Sequence, residues 1–160
     1  MKLILRRPTE NDWDSVLEAA DATVIWDPKG NREWLRNRQQ FTGTRRHYLV
    51  TDSDTNAVLG YGALEEEPHK GTFRLFVVMP PQHIEGETGT MLYNQLAADL
   101  TELNAYSAWV REYAADTATL NFFAQRGFVE TNRVNIPGKP EMVIMEKNLR
   151  KRTKPLGRRS

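Results

Sequence analysis

The chain has 160 residues, no cysteine, and 22 Lys and Arg against 21 Asp and Glu, for a net charge of +1. That length suits one domain with a real core, and with 39% hydrophobic residues and a mean hydropathy of −0.62 no run approaches the roughly 20 apolar residues of a membrane span. The missing cysteines exclude disulfides, thiolate metal sites and a cysteine nucleophile. With an N-terminus too charged for a signal-peptide core, they lead to the expectation of a cytoplasmic protein.

"LILRR" reads as a first strand. Thr9 and Asp12 then form the frame of a capping box ahead of a helix whose Trp13, Val16, Leu17 and Ala20 share one face. A second helix is expected from Asp27-Pro28, with Trp34, Leu35, Arg38 and Phe41 in one stripe. "RRHYLVTD" and "AVLGYGALEEE" flank the turn residues "SDTN" and predict a hairpin. "TFRLFVVM" is the third strand of that meander, and its run "LFVVM" lacks alternation, as in a strand covered on both faces.

Pro80 and Pro81 end the pairing, because neither donates to a ladder. A helix is expected from Thr90, with Met91, Leu92, Leu96, Leu100 and Leu103 in helical period. "AYSAWVREY" is a strand, "DTATLNFFAQRG" a helix closed by Gly127, and "FVETNRVN" and "EMVIMEKNL" a closing pair of strands. The order predicts one α/β (α+β) domain over residues 1–149 around a mixed sheet. Residues 73–112 should form a parallel crossover.

The tail, residues 150–160, reads as a basic, disordered end; setting aside its six Lys and Arg turns the net charge from +1 to −5. No aromatic residue interleaves those charges, so nucleic acid is not the expected partner. The acidic body points weakly to a cationic acceptor or ligand. The histidines at 47, 69 and 83 give no metal spacing, and no metal is expected.

The loop "MPPQHIEGETGTML" between strand and helix has two readings. Its glycines and threonines suit a turn that aims backbone N–H groups at an anion, with a helix N-terminus behind it. Glu85 and Glu87 argue for a tight turn that binds nothing.

Together, "LRRPTENDWDSV", "LFVVMPPQHIEGETGTML", "DTATLNFFAQRGF" and "EMVIMEKNL", in that order, resemble the GNAT superfamily of acyl-CoA-dependent N-acyltransferases over nearly all of residues 3–149. The resemblance implies a mostly antiparallel sheet flanked by helices, with a proline-terminated strand that splays from its neighbour around Val77, Val78 and Met79. It implies acetyl-CoA as cosubstrate, with pantetheine beside Val77, Val78 and Met79 and the pyrophosphate on Gly86, Glu87, Thr88, Gly89 and Thr90. Asp116 and Phe123 fall where the family touches the cofactor, and Asp116 also reads as a helix N-cap.

The sequence departs from the family signature at three places. Ile84 stands at its Gln/Arg position and Glu87 at its first glycine, where a left-handed backbone would be strained. Phe123 replaces the tyrosine that often serves as acid.

Glu65, Glu67 and Glu112 are the carboxylates available as base, and Tyr113, with Tyr93, the candidate acid. Glu65 and Glu67 share one strand face. For any of these carboxylates a solvated edge is the competing reading, and for the tyrosines a core position. Trp26 and Trp34 fall where the family forms its acceptor wall. The expected activity is direct acetyl transfer to a primary amine, on a small molecule or a peptide, in a ternary complex. The alternatives are a GNAT-fold protein with weakened catalysis that binds a CoA ester or a protein partner, dimerising through a sheet edge or its last strands, and a tail that tethers nucleic acid.

Overall fold

The computed structural model describes residues 2–22 and 28–149; Trp26 and the basic tail lie outside them. The chain runs β1 (Leu3–Arg6), a 3-10 turn at Glu10–Asp12, α1 (Trp13–Asp21), α2 (Pro28–Gln40), β2 (Arg45–Asp52), β3 (Val58–Glu66), β4 (Thr72–Val78) and α3 (Pro81–Ile84). Then come α4 (Glu87–Glu102), β5 (Ser107–Tyr113), α5 (Thr117–Ala124), β6 (Val129–Val134) and β7 (Met142–Asn148). One seven-stranded sheet has the order β1-β2-β3-β4-β5-β7-β6. All its neighbours are antiparallel except β4 and β5, joined in parallel through α4, as the crossover pattern predicts.

Two apolar layers cover the sheet. Trp13, Val16 and Leu35, from α1 and α2, pack on Leu49, Tyr61, Phe76 and Val78. Leu92, Leu96 and Phe122, from α4 and α5, pack on Leu64, Leu75, Val77 and Val110. Phe76 and Val78 therefore face α1 and α2 while Leu75 and Val77 face α4 and α5, which is why "LFVV" shows no alternation.

Local signals act as their chemistry dictates. The Thr9 N–H donates to Asp12 Oδ2 at 2.6 Å, and the Arg6 fork grips the same carboxylate at 2.8 and 2.9 Å. The Arg6 hydrogen bonds hold that carboxyl well below the usual carboxylate range. Asn56 takes φ 58° in the hairpin turn. Gly127 takes φ 92°, so that the Phe128 N–H reaches back to the Phe123 carbonyl at 3.1 Å.

Two expectations about the loop after β4 need correction. Helix α4 begins at Glu87, not Thr90, and a short turn, α3, precedes it. Glu87 is thus in the first turn of a helix, and the expected left-handed strain there is absent. Gly86 is the extended N-cap, with φ −101° and ψ −162°. The doubled proline explains the extra turn, since Pro80 and Pro81 preset φ at the start of α3.

Candidate active site

Strands β4 and β5 pair only over Thr72–Arg74 and Ser107–Trp109, although β4 continues to Val78 and β5 to Tyr113. Beyond Arg74 the two diverge. Strand β4 stays paired with β3 as far as Val78, so alternate residues of Leu75–Val78 turn their N–H and C=O groups into an open wedge. The wedge holds a cavity of about 120 Å³ lined by Phe76, Val77, Val78, Arg111, Glu112, Tyr113 and Met142. It passes through the sheet, with Val77 and Glu112 on the α4 side and Phe76, Arg111 and Tyr113 on the α2 side. On the α2 side it opens into a groove of about 520 Å³ between α2 and the β6–β7 connection.

Helix α4 begins after the end of β4. The N–H groups of Glu87, Thr88 and Gly89 have no acceptor among the described residues, and Gly86 offers no side-chain cap. Glu85 and Glu87 are exposed, so their carboxylates are solvated. Gly89 is fixed by contact: a Cβ there would lie 2.0 Å from the Ile84 carbonyl oxygen and 3.0 Å from the Phe122 ring. Ile84 is buried, serving as a packing residue where the family signature has Gln or Arg. Free amides and an uncapped helix end fit an oxyanion such as a diphosphate.

The candidate carboxylates have separate fates. Glu112 is buried in the wedge, and burial with the Asp116 charge nearby pushes its carboxyl up to about 8, although Arg74 draws it back. It can therefore exchange a proton near neutral pH. Glu65 is buried on the α2 face against Arg38, whose Nε donates to it at 2.6 Å. Glu67 follows β3, its N–H bonded to the Thr72 carbonyl at 2.8 Å, and neither it nor Glu65 lines the wedge or the groove. Tyr113 lines both cavities. Tyr93 is buried against Phe122 and Phe128, with Lys147 Nζ 3.3 Å from its hydroxyl, away from the wedge.

Asp116 caps α5, accepting from the Thr119 N–H at 3.1 Å and the Thr119 hydroxyl at 2.7 Å. With both oxygens engaged, it acts on the wedge through its charge on Glu112. Phe123 is fully buried between Phe122 and Phe128, with ring centroids at 5.2 and 5.1 Å, and does not line the wedge. Its described ring contacts lie within the core. Trp34 does two jobs. Its ring edge meets Tyr61 at 5.8 Å and Phe76 at 6.1 Å, and it also lines the wedge and the groove.

Sequence reasoning missed Arg74 and Arg111 as site residues, as well as Asn31, which lines the wedge with its amide tied to Asp21 at 2.9 Å. The signal was an arginine in an otherwise apolar strand and another at alternating spacing in "AWVREY". The charge of the groove differs from that of the acidic body. The groove is lined by Arg38, Arg74, Arg111 and Lys139 against Glu33 alone among acids. Net charge of the body does not determine the sign of a cleft. No group of three or more His, Asp or Glu side chains among the described residues forms a metal-binding set, and no described helix is long and apolar enough to cross a membrane.

No family model matches the sequence, and no curated protein matches it. Solved structures do match the fold. An acetyltransferase assigned to the GNAT family, from Desulfovibrio desulfuricans, is 15% identical with a TM-score of 0.75, over 92% of this chain and 99% of that one. The ribosomal-protein-S18-alanine N-acetyltransferase of Escherichia coli is 13% identical with a TM-score of 0.73, over 97% and 99%. A Salmonella typhimurium protein named as an acetyltransferase, solved with acetyl-CoA, is 16% identical with a TM-score of 0.69, over 98% and 99%. With its crossover, its wedge between β4 and β5 and its full-length overlap with these structures, the chain has the fold of the GNAT acetyltransferases.

Proposed function

We propose that this chain is an N-acetyltransferase that moves an acetyl group from acetyl-CoA to a primary amine by direct attack in a ternary complex. The observation that carries the reading is the open edge of β4, followed within a few residues by three unengaged amides at the start of α4. Acetyl-CoA supplies the activated acyl thioester. Val77, Val78 and Met79 offer main-chain groups to its pantetheine arm, and Glu87, Thr88 and Gly89 offer free N–H groups to the diphosphate, while those of Gly86 and Thr90 are engaged within the turn. A main-chain N–H near Val78 steadies negative charge on the thioester oxygen.

Glu112, in its ionised form, takes the proton that the amine nitrogen releases as it bonds to the acyl carbon. The carbon–sulfur bond breaks, and Tyr113 lies on the same wedge to give a proton to the departing sulfur. Trp34 forms the apolar wall of the acceptor groove.

Two measurements test the reading. Millimolar acetyl-CoA should raise Tm, and thiol should be released from acetyl-CoA in the presence of amines. A protein whose Tm does not move with acetyl-CoA does not have this function. A second reading, a coenzyme binder without turnover, is supported by the core position of Phe123 and the apolar Ile84. A Tm shift without thiol release across a broad amine panel would establish it.

A further inference from the structure

We propose that the acceptor amine carries its own carboxylate, bound by Arg74 and Arg111 in the groove under α2. The inference rests on the acetyl-transfer reading above and names its substrate class. Arg74 and Arg111 lie on the same face of adjacent strands, since Arg74 pairs with Trp109 and Arg111 is the next residue on that face. Arg74 stands between rings, its guanidinium carbon 4.6 Å from the Phe76 centroid and 4.9 Å from Trp109. Its Nε is buried with no hydrogen-bond partner. The carboxylate that should serve it is Glu65, directly opposite in the β3–β4 register, and Glu65 is taken by Arg38 at 2.6 Å. Arg38 in turn covers the same Phe76 ring at 3.9 Å.

Guanidinium groups are thus gathered in one desolvated corner with a single carboxylate between them. The Arg111 side chain makes no hydrogen bond or ion pair among the described residues. Burial first, and then the Arg38 charge, lower the proton affinity of Arg74; Glu112 opposes them, and Arg111 and Glu67 act more weakly in opposite directions. Glu33 lines the groove from an exposed position, and Glu112 faces the other side of the sheet. Buried cations without anions are costly, and a structural arginine normally has its own partner. A planar carboxylate answers the donors of a guanidinium fork two at a time. The groove, about 520 Å³, admits a small amino acid and its side chain. The same cations disfavour a polyamine, so the corner selects against one class as it selects for the other.

The test compares matched acceptors with the full-length chain and acetyl-CoA: L-phenylalanine against phenethylamine, and L-methionine against L-methioninamide. The free acids should show at least about tenfold higher kcat/KM. Arg111→Gln should raise KM for the acids by about tenfold and bring the acid-over-amine preference to within about twofold. A binding arm needs no turnover: with CoA present, N-acetyl-L-phenylalanine should bind by calorimetry and its amide should not, and Arg111→Gln should abolish the difference. Amines or amides used as well as the acids, or discrimination that survives Arg111→Gln, would overturn the proposal. The acetyl-CoA-induced Tm shift reports on the coenzyme reading separately. A chain that shifts but ignores the carboxylate loses only the substrate class. A chain that does not shift loses the transferase reading, and the binding arm still decides on the groove.

Discussion

Replacing Glu112 with Gln separates what its carboxyl does from what burying it costs. The folded carboxyl is pushed from 4.5 up to about 8, first by burial and then by Asp116. Between those values the native chain holds a proton that the unfolded chain has released. Stability is therefore undiminished below 4.5 and falls as the pH rises toward 8. At about 1.4 kcal/mol per unit, the native carboxyl weighs on the order of 3 kcal/mol more against folding at pH 8 than at pH 5. Gln keeps the shape and never ionises, so Glu112→Gln should be the more stable chain, by a margin that widens by that amount across this range. Urea unfolding at pH 5, 6, 7 and 8 measures it. Activity should move oppositely. If Glu112 is the base, the wild-type rate rises with pH through about 8, and the variant loses both that rise and on the order of a hundredfold in kcat. A pH-independent stability difference, or a variant less stable than wild type at pH 8, would refute the assigned environment of Glu112. Full activity in the variant would refute its role.

Three further substitutions probe the frame around the wedge. Gly89→Ala drives a Cβ to within 2.0 Å of the Ile84 carbonyl oxygen; it should cost about 1–3 kcal/mol by urea unfolding and weaken acetyl-CoA in calorimetry. Glu87→Gln removes an exposed charge beside the α4 amides. Acetyl-CoA should bind about two- to fivefold tighter at low salt, with the gain fading as salt is added. Arg38→Ala strands Glu65 in the core and should cost about 3–5 kcal/mol by urea unfolding, with part recovered at acid pH as Glu65 takes up a proton.

What the sequence made legible was local. The capping residues Thr9 and Asp116, the hairpin turn at Asn56, the closure at Gly127 and the two-sided cover of β4 follow from spacing within a few residues. The order of elements carried the sheet, because a parallel crossover and an antiparallel meander leave few topologies. The site itself depends on register. The β4–β5 pairing stops at Arg74, several residues before Pro80, and no residue marks that point. Glu65 looked available as a base until α2 laid Arg38 against it. Glu87 looked strained until α3 took up the chain and let α4 begin earlier. The cationic corner of Arg74 and Arg111 arises from residues 37 positions apart, brought side by side only when the strands pair.

A crystal structure of the chain grown with CoA bears most directly on the central claim, that main-chain groups after β4 hold a thioester carrier. The predicted map places the diphosphate on the N–H groups of Glu87, Thr88 and Gly89 and the pantetheine chain along Val77–Met79, inside the wedge. Coenzyme bound elsewhere, or a wedge closed by continued β4–β5 pairing in saturating CoA, would contradict it.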